Sequence, residues 1–290
     1  MLVSSGWLAD HLDDPAIAVV DMRWRGDGSG RTLYEQGHIP GATHLDWSTD
    51  LVDNTGRVAF VLAGPEQFGQ AMQNHGIGDD TSVVAYADQL GSGPYRLWWA
   101  CRMYGHDNVR VLDGGLDKWL AEGRPLSIES AIPGLARWTP GPSIGLMATA
   151  DDVAAATDDP EVMVLDSRPP EQFRGEFIWF ETGPVAAGPD GIARTTRGEL
   201  RAGHVPGARN MPAASLFRDD LTMRDPAEIR RLLEETGVRP TSKAITYCGV
   251  GVSASALLFA MKLAGVEDVA LYDASWEEWG RDPDRPVARD

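Results

Sequence analysis

The chain has 290 residues, enough for one large domain or two of ordinary size, and 43% of them are hydrophobic, as a proper core requires. Lys and Arg number 26 against 43 Asp and Glu, a formal charge of −17 that argues against nucleic acid and anionic membrane surfaces as partners. No run approaches a membrane span, and Met1–Trp7 lacks the pattern of a secretory signal, so the expected address is the cytoplasm and Cys101 and Cys248 are expected as reduced thiols.

Along the chain, the first strand-like run, Ala18-Val19-Val20, ends in Asp21-Met22-Arg23. Tyr34 to Ala42 then reads Y-E-Q-G-H-I-P-G-A, with His38 before Pro-Gly. A second apolar run, Ser82 to Tyr86, leads into a helix-like segment from Tyr95 to Tyr104, where Cys101 is expected as core filler. Val109 to Asp113 follows, with Trp119 downstream and Gly123-Arg124-Pro125 closing the half.

Beyond a Pro/Gly-rich stretch from Ile132 to Pro142 the same landmarks return in the same order. Met163 to Arg168 ends in Asp166-Ser167-Arg168, and Leu200 to Ala208 repeats H-x-P-G-A around His204. Ala244 to Tyr247, Val269 to Asp273, Trp279 and Asp284-Arg285-Pro286 complete the echo. We expect an N-terminal domain over 1–128, a linker over 129–146 and a C-terminal domain over 147–290. Short apolar strands alternating with helices predict two α/β domains, each with a mainly parallel sheet flanked by helices.

The halves differ in two places. The second carries about twenty more residues between Asp166 and His204 than the first does between Asp21 and His38. The corner after Tyr247 reads Cys248-Gly249-Val250-Gly251-Val252-Ser253, whereas the corner after Tyr86 reads Ala87-Asp88-Gln89-Leu90-Gly91-Ser92-Gly93 and has no thiol.

A phosphate-binding loop would need G-x-x-x-x-G-K-[ST], and the first lysine after Tyr247 is Lys262, well inside the next helix. A hydrolase elbow would need G-x-S-x-G, and the final glycine is missing, so Ser253 reads as a helix N-cap. A cysteine phosphatase would place an arginine six residues on, where Ala254 stands. Two readings remain: a small cysteine buried between strand and helix, or a reactive thiol whose anion is held by loop N–H groups and the positive end of the helix. Scattered histidines and two distant cysteines show no metal-ligand spacing, and no dinucleotide fingerprint precedes a helix.

Taken together, H-x-P-G-A, D-x-R after a strand, the cysteine loop and the Asp with a downstream Trp resemble the tandem-domain rhodanese sulfurtransferases over nearly the whole chain. The resemblance implies two rhodanese-like α/β domains, the first inactive and the second catalytic, working without a cofactor. It implies that Cys248 takes a sulfane sulfur from a small-molecule donor, 3-mercaptopyruvate or thiosulfate. The Cys248 persulfide then passes it to a thiol or cyanide acceptor, such as a thioredoxin-like protein. Thiosulfate-using members resemble C-R-K-G-V-T, with two cations for a dianion, and mercaptopyruvate-using members resemble C-G-S-G-V-T. The loop over Gly249, Val250, Gly251, Val252 and Ser253 keeps the uncharged pattern, with Val250 in place of the serine. The expected donor is therefore 3-mercaptopyruvate; thiosulfate with cyanide, or a sulfur-relay module with little small-molecule turnover, are the alternatives. Arg168 matches the family arginine that meets the donor's anionic end, with an ion pair inside the domain as its other reading; Arg174 is a second candidate. His204 reads as a structural turn. For His38 both a structural turn and proton transfer to the donor stand open.

Overall fold

In the computed structural model all residues are described except Asn54, Arg57, Ser143, Ile144, Glu181, Thr182 and Asp290. The chain forms two units, one of Met1–Asn54, Leu62–Ile144 and Phe217–Met223, the other of Thr55–Val61, Gly145–Leu216 and Arg224–Asp290.

The first unit holds β1 (Leu2–Val3), β2 (Ile17–Asp21), β3 (Thr43–His44), β4 (Ser82–Tyr86) and β5 (Val109–Leu112). These form one parallel sheet in the order β1-β5-β4-β2-β3. The central strand β4 is buried at every residue, so its sequence S-V-V-A-Y is a continuous run with no polar face. Its helices are α1 (Ser5–Ala9), α2 (Gly30–Gln36), α3 (Trp47–Asp50), α4 (Pro65–Asn74), α5 (Gly93–Met103) and α6 (Gly115–Ala121).

The second unit begins with β6 (Met147–Ala148) and β7 (Val162–Asp166). Two antiparallel hairpins follow, β8 (Phe177–Phe180) with β9 (Gly183–Ala186), and β10 (Ile192–Thr195) with β11 (Gly198–Arg201). They account for the longer stretch between Asp166 and His204. Then come β12 (Arg209–Asn210), β13 (Lys243–Tyr247) and β14 (Val269–Tyr272), and the parallel sheet runs β12-β7-β13-β14-β6. Read from the other edge, this is the strand order of the first unit. The helices are α7 (Ala150–Asp158), α8 (Pro170–Phe173), α9 (Pro226–Glu235), α10 (Val252–Leu263) and α11 (Ser275–Trp279). In α10 every residue from Ala254 to Met261 is buried, which explains why its sequence is apolar all round. In contrast α9 is amphipathic and starts on an Asp225–Glu228 capping box, a device worth about 1 kcal/mol.

Both units carry the same buried polar frame behind the sheet's carboxyl end. In the first, Arg23 Nε donates to both Asp21 oxygens, at 3.1 and 3.0 Å, and Nη2 to Asp21 Oδ2 and Gly37 O, each at 2.7 Å. Arg168 repeats this on Asp166 at 3.0, 3.0 and 2.6 Å, and on Gly203 O at 2.7 Å. Tyr86 and Tyr247 each accept a main-chain N–H from the H-x-P-G-A turn, from Ile39 and Val205, at 3.1 Å. Trp119 and Trp279 likewise each donate to a proline carbonyl, of Pro125 and Pro286, at 2.8 Å. The motifs that repeat in the sequence are thus the parts that fix strand ends to the turns crossing them.

Candidate active site

The cysteine loop leaves the carboxyl end of β13 and enters α10, at the end of a parallel sheet where ligand sites form. Cys248 is 3% exposed and unpaired with Cys101, which lies fully buried in α5. Burial pushes the Cys101 thiol strongly up, as befits a packing residue. Gly251, not Ser253, is the N-cap of α10, with φ +76°, a left-handed conformation that glycine adopts without strain. The Ser253 hydroxyl instead lies 3.0 Å from Ser167 Oγ, because Val252 already begins the helix and turns Ser253 towards β7's end.

Three successive residues after β14 hold the start of the loop. The Ser275 hydroxyl accepts the Cys248 N–H at 3.1 Å, Trp276 N–H donates to Cys248 O at 3.0 Å, and Glu277 N–H donates to Gly249 O at 2.9 Å. Beyond this clamp, the main-chain N–H groups of Gly249, Val250, Gly251, Val252 and Ser253 meet no acceptor among the described residues. The corresponding loop of the first unit is occupied: Gln89 N–H donates to Asp117 Oδ2 at 2.8 Å and Gly91 N–H to Asp88 O at 2.8 Å. Asp88 is itself gripped by Arg25, at 3.0 and 2.7 Å.

Arg168 is 2% exposed, and its cation lies over the Trp276 ring at 4.5 Å and the Tyr247 ring at 5.7 Å. Burial opposes its charge, but the Asp166 carboxylate outweighs burial and raises the guanidinium above its ordinary value. Only Nη1 is without a hydrogen-bond partner among the described residues. Arg174 caps α8 on the surface, with Nε 2.7 Å from Glu176 and Nη2 3.8 Å from Glu171. His38 is fully buried, stacked on Tyr34, with Nδ1 2.8 Å from Tyr34 O and Nε2 3.0 Å from Glu129 O. Both ring nitrogens are therefore taken by main-chain carbonyls, an arrangement that favours the structural-turn reading of His38 over proton transfer to the donor. His204 repeats the packing, stacked on Phe173 with Nδ1 2.8 Å from its carbonyl. Among the described residues no group of His, Cys, Asp or Glu is placed to hold a metal ion, and no helix is long and apolar enough to cross a membrane.

Two parallel sheets of one strand order, one bearing a cysteine loop at its carboxyl end, define the class. The chain belongs to the rhodanese family: the model of the rhodanese-like domain matches it twice, over residues 4–122 and 149–282. The similar proteins carry this from fold to activity. The sulfur carrier protein TtuD of Thermus thermophilus is 34% identical over 100% of this chain and 96% of its own length. The thiosulfate sulfurtransferase of Rattus norvegicus is 32% identical over 97% and 92%. The crystal structure of the Escherichia coli 3-mercaptopyruvate enzyme SseA superposes with a TM-score of 0.78 at 31% identity, covering 95% of this chain and 98% of that one. The protein is a tandem-domain sulfurtransferase.

Sequence reasoning missed Ser275 and the two residues after it. The signal was present: the first half reads Asp113-Gly114-Gly115 where the second reads Asp273-Ala274-Ser275, so a serine stands where its counterpart is glycine.

Proposed function

We propose that the second unit transfers a sulfane sulfur from 3-mercaptopyruvate through a persulfide on Cys248. The observation that carries this reading is the set of loop N–H groups from Gly249 to Ser253 that lack acceptors beside a cysteine at the start of a 12-residue helix. Such a cradle stabilises an anion on sulfur without a cationic side chain. The Cys248 thiolate attacks the sulfur of the donor thiol, an S–S bond forms and the C–S bond breaks. The electron pair leaves on the pyruvate enolate, which takes a proton from solvent; the persulfide loses its proton and is held as Cys–S–S⁻. An acceptor thiolate or cyanide then attacks the outer sulfur, breaking the S–S bond and returning the Cys248 thiolate.

The loop supports mercaptopyruvate over thiosulfate because residues 249–253 carry no cation to meet a dianion. The framework pair of Arg23 in a unit without a loop cysteine supports the same framework role for Arg168, so the donor's carboxylate falls to Arg174. Glu176 holds that guanidinium in a half-exposed pair, which a carboxylate can exchange at little cost. A second reading, a sulfur carrier fed by a partner protein, is favoured by the likeness to TtuD. The test is intact mass spectrometry after mixing with 3-mercaptopyruvate and, separately, thiosulfate. Gain of one sulfur atom with mercaptopyruvate, absent in Cys248→Ser, is expected. No gain with either donor would sink the enzyme reading and leave that of the carrier.

A further inference from the structure

Ser275 is fully buried at the start of α11 and has φ +53°, in the left-handed region that side chains other than glycine's enter only at a cost in strain. Its counterpart in the first unit is Gly115, at φ +55°. The equivalence is fixed by the next residue: Leu116 N–H donates to Ala87 O at 2.9 Å, as Trp276 N–H donates to Cys248 O. A Cβ on Gly115 would lie 2.3 Å from the Ala87 carbonyl oxygen, so the first unit has no room for a side chain here. In the second unit that room exists, and the strained residue is a serine with both hydrogen-bonding capacities in use. Its oxygen accepts from Cys248 N–H at 3.1 Å and its proton goes to Tyr272 O at 2.8 Å.

Peptide planarity gives this arrangement a purpose. Ser275 fixes the plane between Tyr247 and Cys248 through its N–H. Trp276 fixes the plane between Cys248 and Gly249 through its carbonyl, and Glu277 the plane between Gly249 and Val250. Each held carbonyl aims the N–H on the opposite side of its plane, those of Gly249 and Val250. With the planes on both sides of Cys248 held, the direction of its Cα–Cβ bond is set as well.

We infer that Ser275 is the positioning residue of the sulfur-transfer site: its hydroxyl, held at a strained backbone position, pins the backbone of Cys248 so that its sulfur and the loop N–H groups share one geometry. The inference rests on the reading of Cys248 as sulfur acceptor. It is tested with Ser275→Ala, which keeps the Cβ and its strain and removes only the hydroxyl pin, and with Ser275→Gly, which removes the pin together with the Cβ and accepts the left-handed φ freely. Single-turnover persulfide formation from 3-mercaptopyruvate is measured with the pH profile of Cys248 alkylation by iodoacetamide and thermal unfolding. Ser275→Gly is expected to melt close to the wild type, to form persulfide about tenfold or more slowly, as misplacement of a reacting group requires, and to shift alkylation to higher pH. Ser275→Ala is expected to show the same two losses. If either folded variant keeps the wild-type rate and profile, the hydroxyl only packs and the inference is overturned. A wild type that gains no sulfur overturns instead the role of Cys248.

Discussion

Replacing Arg168 by methionine separates a framework role from a donor-binding one. The substitution keeps much of the apolar volume beside Trp276 but strips Asp166, which is fully buried, of the three contacts from Nε and Nη2. Removing one member of a buried ion pair costs about 3–5 kcal/mol because the remaining charge is uncompensated. At about 2–4 °C per kcal/mol for a unit of this size, the transition should fall by about 6–20 °C. Arg23→Met, made in the matched pair of the first unit, should cost a similar amount with no effect on persulfide formation beyond that of stability. Differential scanning calorimetry at neutral pH reads both. If Arg168→Met melted within about 2 °C of the wild type while the KM for donor rose about tenfold or more, the framework argument would be refuted and Arg168 would be the donor's anchor.

Val250→Lys should raise turnover with thiosulfate relative to mercaptopyruvate by on the order of tenfold, since a cation within a few ångströms of a dianion is worth more than beside a monoanion; steady-state assays with both donors check it. Acid should weaken the first unit through His75 and His106, whose burial lowers both below the ordinary 6.5. The unfolded chain then binds the protons more readily, so the stability these residues contribute is full above 6.5 and is lost as pH falls below it. Comparing thermal unfolding at about pH 7.5 and about pH 5.5, the His75→Gln/His106→Gln double variant should lose less than the wild type. An unchanged slope would show that other groups set the acid sensitivity.

The long strands and the turns were legible in the sequence because each carries a demand on residue type. A buried parallel strand must be apolar, as Ser82–Tyr86 is, and the Asp–Arg pair and H-x-P-G-A turn need those residues to satisfy buried groups. The edge strands Leu2–Val3, Thr43–His44, Met147–Ala148 and Arg209–Asn210 were not, since two residues have no periodicity to read. The hairpins inside the longer stretch left only a difference in length. At the site, Cys248 and its glycines stood out, but the cap was placed on the wrong residue and the role of His38 stayed open. Ser253 had the residue type of an N-cap but stands two positions beyond Gly251, the residue that caps the helix. His38 had the chemistry of a proton carrier, and only its contacts with Tyr34 O and Glu129 O show the ring spent on the fold.

The doubled frame of Asp, Arg and Tyr also bears on how such a protein can change. Because the frame is complete in a unit whose corner holds Ala87 and no thiol, its integrity does not depend on what the corner does. The strand-to-helix loop is then an interchangeable insert on an indifferent mount. One copy has paired loop amides with acceptors of its own, the Asp117 carboxylate and the Asp88 carbonyl, and the other has kept them open. A thiol restored at position 87 would find the Gln89 N–H already held by the Asp117 carboxylate and the Gly91 N–H by the Asp88 carbonyl, where an anion would have to go. A new function at that corner would therefore need more than a thiol: the loop amides would first have to be released from the acceptors that now hold them.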